Sequence, residues 1–263
     1  MFSAKSQLKS KISLFILPFV LIMLIIGAGC SKEVKDPNTL LNTAVSLANE
    51  GNKWKESLEY AKEALNLDPN SSNAQVMYAL ALVGNDKGDQ ALKQLRTIVK
   101  DYPNNFLAQL SLGKILFDKK DYEGAYDNLT NAYKMQPDNI DVLILFSQCS
   151  AKLQAQNTDK LFLKLAKQKG FEDNPEIYNE LGTYYANTRD ISKAAQNLSK
   201  AYKLAPDNPV IVSNLGVFCD RFLNKPKKAK FFYRKFLILT TDEAGYSQLR
   251  EEIINRLQSF SKT

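Results

Sequence analysis

Four prolines lay a ruler along this chain. Pro69, Pro103 and Pro137 stand 34 residues apart, and Pro206 follows after a further 69. Since 69 is twice 34 plus one, a weaker copy with one extra residue falls between the last two. The stretches around the ruler repeat as well. "LGKILFDKKDYEGAYDNLTNAYKMQP" (112–137) returns as "LGTYYANTRDISKAAQNLSKAYKLAP" (181–206). Both open on Leu-Gly, hold an Asp in a central turn, reach an Ala 13 residues after the Leu and close on Ala-Tyr-Lys and Pro. A fixed period of this size means that one small supersecondary unit is stacked many times. Units in this register begin near Asn38, Ser72, Phe106, Ile140, Pro175 and Pro209.

The period of 34 with Leu-Gly, Ala and Pro at set places resembles the tetratricopeptide repeat, an antiparallel pair of helices. In the third unit Leu112, Gly113, Leu116, Tyr122, Ala125, Leu129, Ala132 and Pro137 carry the likeness. In the fifth it rests on Tyr178, Leu181, Gly182, Tyr185, Ala194, Leu198, Ala201 and Pro206. The first unit keeps Trp54, Ser57, Ala61, Ala64 and Pro69; the second keeps Ala79, Ala91, Leu95 and Pro103. The sixth retains Leu215, Gly216, Ala229 and Tyr233, with one extra residue in its turn and Thr241 in place of the Pro. The fourth has lost most of the motif, although its apolar spacing still fits two helices. The resemblance implies an all-α fold. It would be an α-solenoid, a right-handed superhelix of about six helix pairs over 38–241, closed by a capping helix over 242–263.

The residue types suit that packing. Gly113, Gly182, Gly216, Ala125 and Ala194 are small where the two helices of a unit cross, which lets the backbones approach to about 8 Å. Asn or Asp after each Pro offers a cap to the next helix. A stack exposes apolar faces at its ends. At the C-terminus Tyr246, Leu249, Ile253, Leu257 and Phe260 recur at helical steps to cover one, with Arg250, Glu251 and Gln258 expected on the opposite side. Cys149 and Cys219 fall two repeats apart, on the order of 20 Å at ~10 Å per helix layer. That exceeds the reach of a disulfide, about 7 Å, so both are expected as buried thiols.

Residues 1–29 are a separate object. Lys5, Lys9 and Lys11 precede an uncharged run from Ile12 to Gly29, and Cys30 follows. A basic start, an apolar run and small residues make an export signal. With Cys at the junction the segment resembles a bacterial lipoprotein signal, which implies cleavage before Cys30 and lipidation of its thiol. Ala28 and Gly29 fit that pattern; Gly27 replaces the usual Leu. An uncleaved membrane anchor is the alternative, since 18 uncharged residues nearly span a bilayer. Residues 30–37 would then be a short tether of at most ~25 Å at ~3.3 Å per residue. Ser31 resembles an outer-membrane sorting signal. The implied location is the bacterial cell envelope, lipid-anchored, on the outer membrane facing the periplasm.

Composition narrows the function. The 263 residues contain no histidine, which removes the commonest general base and metal ligand. No phosphate loop, metal-ligand cluster or nucleophile elbow is present. No enzyme, no metal and no cofactor is expected. The net charge of +7 becomes +4 once the three N-terminal lysines are lost, which does not call for nucleic acid. In the tetratricopeptide family the first helix of each unit lines a concave face that grips a peptide or helix of a protein partner, with no small-molecule substrate. The second, fifth, ninth and twelfth positions would point inward. Among them are Asn42, Ser46, Asn73, Val76, Leu80, Leu110, Lys114, Phe117, Ile144, Gln148, Asn179 and Thr183. Val76, Leu80, Leu110, Phe117 and Ile144 form either an exposed apolar strip for a partner or part of the core. "NKPKKAKFFYRKF" (224–236) mixes bases with aromatics; its aromatics are expected on the packing side and its bases in solvent, with anionic lipid or polysaccharide as the alternative. The implied role is an envelope-assembly scaffold of the kind serving pili, secretins, β-barrels or polysaccharide export. An adaptor recruiting peptidoglycan-acting enzymes is the other reading.

Overall fold

A computed structural model describes residues 36–260. Among them the regular structure is helical throughout: thirteen α-helices and one 3-10 turn at Ala244–Tyr246. They form two compact units, one ending at Leu145 and one beginning at Phe146. The first holds α1 (Pro37–Asn49), α2 (Trp54–Leu67), α3 (Ser72–Gly84), α4 (Gly88–Asp101), α5 (Phe106–Asp118), α6 (Tyr122–Met135) and the start of α7 (Ile140–Leu153). The second holds the rest of α7, then α8 (Thr158–Leu165), α9 (Pro175–Asn187), α10 (Ile191–Leu204), α11 (Pro209–Arg221), α12 (Pro226–Leu239) and α13 (Ser247–Ser259). Within the first unit α1 packs on α2, α3 on α4 and α5 on α6; within the second α9 packs on α10 and α11 on α12. Helices one hairpin apart also touch, α1 with α3, α3 with α5 and α9 with α11, as stacked hairpins must.

The caps are where the sequence puts them. Side chains of Asp36, Ser71, Asn105, Asn174 and Asn208 accept backbone N–H groups in the first turns of α1, α3, α5, α9 and α11, each worth ~1 kcal/mol. Pro37, Pro175 and Pro209 occupy the first turn, where a missing N–H costs nothing. Every hairpin turn holds positive φ, at Gly51 in the first, at Gln154 and Asn157 in the fourth and at one residue in each of the others. Asp86, Lys120, Gln154, Arg189 and Asn224 hold values from 51° to 68°. In four of these turns the next N–H reaches back five residues, Lys87 to Leu82, Asp121 to Leu116, Ala155 to Ser150 and Asp190 to Tyr185, each at 2.9 Å. That bond closes the helix end and holds a side chain in a conformation that costs ~1–2 kcal/mol.

The degenerate fourth copy has its second helix cut short. α8 has only 8 residues. Lys167 and Gln168 N–H groups turn onto the carbonyls of Lys164 and Leu165, and Gly170 follows at φ 88°. The chain reaches α9 at residue 175, 35 residues after α7 begins, so the fourth copy holds the one extra residue. The sixth copy takes its own extra residue between α11 and α12, where Lys225 N–H reaches the Cys219 carbonyl at 2.8 Å.

The core lies along one line of each second helix. In α2, α4, α6, α10 and α12 the fourth, eighth and eleventh residues are buried, from Ser57, Ala61 and Ala64 to Ala229, Tyr233 and Phe236. Opposite the eighth residue stands the small residue of the partner helix. A Cβ on Gly113 would lie 2.8 Å from Leu129 Cγ, one on Gly182 2.5 Å from Leu198 Cγ, and one on Gly216 2.6 Å from the Tyr233 ring. Each of these three crossings thus needs one partner without a side chain. Cys149 and Cys219 are buried thiols.

The C-terminal helix covers the last hairpin. Ile253 is buried, and Tyr246, Leu249, Leu257 and Phe260 pack against Val212, Cys219, Ala229, Tyr233 and Phe236. Its polar side differs from expectation. Arg250 does not face solvent: Nη1 donates to the Leu237 carbonyl at 2.6 Å and to Thr240 Oγ1 at 2.8 Å. A cation there binds a carbonyl in the last turn of α12 and complements its dipole. Arg256 makes a two-pronged clasp on Asp220, Nε to Oδ2 and Nη2 to Oδ1 at 2.7 Å each. Tyr233 Oη also donates to Asp220 Oδ2 at 3.2 Å. Burial, then the Asp220 carboxylate, pushes the Tyr233 hydroxyl well above its ordinary pKa.

Two substitutions test this packing. Gly182→Ala gains about 1 kcal/mol of helix propensity but forces a methyl against Leu198, a clash costing about 1–3 kcal/mol. The expected outcome is a lower melting temperature; an unchanged or higher one would show that the crossing has slack. Arg256→Ala leaves the Asp220 carboxylate, whose side chain is 6% exposed, with one hydroxyl partner. Chemical denaturation should show a loss of about 2 kcal/mol, much reduced in the Asp220→Asn background.

Candidate protein-interaction faces

First helices and second helices of the hairpins differ in kind. α3 and α5 are apolar on nearly every side ("SNAQVMYALALVG" and "FLAQLSLGKILFD"), and such helices are buried on most of their circumference. That corrects part of the expected binding strip. Val76 and Ile144 are 1% and 7% exposed, so neither presents a surface. Leu80, Leu110 and Phe117 are half-buried and remain within reach. Phe117 stands edge-on to Tyr122, ring centroids 5.5 Å apart, which fixes its ring from the second helix of its own hairpin. Lys114 is half-buried and pairs with Asp118 at 2.8 Å, one turn on. Asn42, Ser46 and Asn73 are exposed. Asn105 Nδ2 donates to Ser72 Oγ at 3.1 Å and to Asn73 Oδ1 at 3.5 Å, linking α5 to the start of α3. In the first unit the structure therefore keeps three reachable apolar side chains and one cation on adjacent helices α3 and α5.

The second unit offers less on its first helices. Asn179 was expected to face inward to a ligand; it is 2% exposed. Its Oδ1 accepts from Asn214 Nδ2 at 2.9 Å, because a buried amide needs a partner and the next first helix supplies it. Thr183 is half-buried and donates to the Glu180 carbonyl at 3.0 Å, three residues back in its own helix. Gln148 is half-buried. Cys30 and the apolar run from 12 to 29 lie outside the described residues. Among the described residues, no helix is long and apolar enough to cross a membrane, and no group of three acids or cysteines is placed to hold a metal.

The basic aromatic stretch also departs from expectation. Tyr233 is buried and Phe232 packs on the core, but Phe231 is 59% exposed. The reason is angular: at 100° per residue, position 231 falls almost opposite the buried line through Ala229, Tyr233 and Phe236. Ile238, two turns on, is 74% exposed. Beneath this stretch burial pushes the Cys219 thiol up in pKa, against the opposing pull of Lys228 and Lys225. A raised pKa keeps it protonated and a poor nucleophile. The signal for the exposed pair was present in the sequence, in the helical angle of each residue from the Ala229 line.

The fold is a helical-repeat array. Residues 48–115 and 175–208 each match a family model described as tetratricopeptide repeat, so the chain carries repeats of that type. Three solved structures share the fold. That titled "Functional Characterization of Pseudomonas Aeruginosa pilF" is 16% identical with a TM-score of 0.60, covering 82% of this chain and 97% of the other. YrrB, titled a TPR protein with an unusual peptide-binding site, is 16% identical at 0.59, over 70% and 93%. PilW, titled a widely conserved type IV pilus biogenesis factor, is 16% identical at 0.55, over 72% and 93%. Identities this low speak for the fold alone.

The double variant Leu110→Ser/Phe117→Ser tests whether these side chains belong to the face or to the core. Half-buried face residues should leave circular dichroism unchanged and lower the melting temperature by only a few degrees. A collapse of the transition would assign them to the core.

Proposed function

We propose that this chain is a non-catalytic scaffold of the bacterial cell envelope that holds a peptide or helix of an assembly partner against α3 and α5. The observation that carries this reading is the trio Leu80, Leu110 and Phe117, apolar side chains still within reach on adjacent, otherwise buried helices. An amphipathic segment with apolar residues at helical spacing suits such a surface. The likeness in fold to PilF and PilW supports pilus or related envelope machinery as the setting, and the likeness to YrrB supports a peptide as the thing held. Anchorage is by lipid on Cys30 after loss of residues 1–29, with the outer membrane facing the periplasm as the site. The basic start, apolar run and small residues before that Cys support it.

Two measurements test the two halves. A photoreactive residue in place of Leu80 should crosslink to one discrete partner in intact cells, and the Leu110→Ser/Phe117→Ser variant should abolish that band at equal protein level. Persistence of the band would move the binding face elsewhere. Labelled palmitate should enter the wild-type chain and be absent from Cys30→Ser; label in both, or in neither, would end the lipoprotein reading.

A further inference from the structure

Positive charge is segregated onto two neighbouring helices of the second unit. α10 carries Lys193, Lys200 and Lys203, and α12 carries Lys227, Lys228, Lys230, Arg234 and Lys235; neither contains a single Asp or Glu. The corresponding helices of the first unit are balanced, α2, α4 and α6 together holding six bases and seven acids. α10 and α12 lie side by side, with the Tyr202 and Phe232 rings 5.5 Å apart and Lys235 Nζ 3.2 Å from Tyr202 Oη. Acids from flanking turns answer three of the bases: Asp190 pairs with Lys193, Asp173 with Lys200 and Asp207 with Lys235. Lys227, Lys228 and Arg234 make no ion pair among the described residues.

The apolar residues within this field break the repeat. The sixth and thirteenth positions of the fourteen-residue second helices read Glu59 and Asn66, Lys93 and Lys100, Asp127 and Lys134, Gln196 and Lys203. In α12 they are Phe231 and Ile238. Four copies keep these outermost positions polar. Only this one places large apolar side chains there, about 10 Å apart along the helix, with Lys227, Lys228, Arg234 and Lys235 around them.

We propose that this face of α12 docks on an anionic phospholipid surface, Phe231 and Ile238 entering the headgroup boundary while the surrounding cations meet lipid phosphates. Each base near such a surface adds attraction, and buried apolar side chains add the rest. An acidic protein segment is the competing occupant, since Phe231 edges an open groove of about 450 Å³ with Leu215, Phe218 and Leu223 inside and Lys227 and Lys228 at the rim. The geometry favours the bilayer. Ile238 is the most exposed large apolar residue described and lies outside that groove; an anchor seated there leaves it uncovered, whereas a flat apolar boundary covers both residues at once. The proposal shares with the reading above only that the chain works beside a membrane. It does not depend on acylation of Cys30.

The test uses the full chain carrying Cys30→Ser, so that a failed lipid anchor and a failed docking face are read separately. An environment-sensitive nitrobenzoxadiazole label is placed on Ile238→Cys, or on Lys100→Cys at the equivalent place in α4. Vesicles of phosphatidylglycerol should brighten and blue-shift the label at 238 several-fold, vesicles of phosphatidylcholine should not, and the label at 100 should respond to neither. Adding Lys227→Glu, Lys228→Glu and Arg234→Glu should weaken the response at 238 about tenfold or more, as should 0.5 M salt. Equal responses at 238 and 100, or a response indifferent to the charge reversals, would overturn the proposal. So would a silent label at 238 in a protein that binds a fluorescent acidic peptide with one Phe and loses it on the same reversals; that outcome assigns the face to a protein.

Discussion

The contact between first and second helix inside a hairpin is the constraint on which this structure rests. Two helices meeting at the short end of the packing range cannot both carry large side chains at the crossing. Gly113, Gly182 and Gly216 yield the space that Leu129, Leu198 and Tyr233 fill. Ala79 and Leu95 hold the corresponding places in the second hairpin, both buried. A glycine in mid-helix is costly by itself, so its recurrence at one register position is evidence of packing. Once that crossing is fixed, the fourth and eleventh positions of the second helix are buried with it, and the positions on the far side of the helix are left to face outward.

Much of the fold was therefore legible before any coordinates. The helix starts at 72, 106, 140, 175 and 209 fall on the register that the prolines define, and the Asn caps at 105, 139 and 208 follow from the residues after Pro103, Pro137 and Pro206. Local chemistry decides these features, and local chemistry is what a sequence displays most directly. The early end of α8 was less legible. The helix stops through tight turns at Lys164 to Gln168, which no proline announces.

The candidate faces were legible only in part, because a position in a repeat says which way a side chain points but not what meets it. Val76 and Asn179 occupy inward places in the register, yet one is buried and the other is spent on a hydrogen bond to Asn214. Arg250 is polar and its helical position suggests solvent, yet the Leu237 carbonyl and Thr240 hydroxyl at the end of α12 draw it in. Each of these outcomes depends on a neighbour distant in sequence. Phe231 shows the reverse error: the repeat register read for the stretch as a whole sets its aromatics on the packing side, although the helical angle of this one residue from Ala229 points outward.

The outer face of α12 shows where a repeat protein keeps its individuality. Core positions cannot vary without disturbing the crossing, so copies converge there; outward positions carry no such duty and should drift among polar residues. A drift toward Phe and Ile at two outward positions, one helix turn from three uncompensated cations, exposes apolar area to water with no gain in packing. Solvent alone provides no compensation for that exposure. A surface able to accept both the apolar and the cationic side chains does, and the even charge of α2, α4 and α6 shows that the repeat itself does not require the pattern. The departure from the repeat at α12 is thus a property of what this face meets, and not of how the hairpins stack.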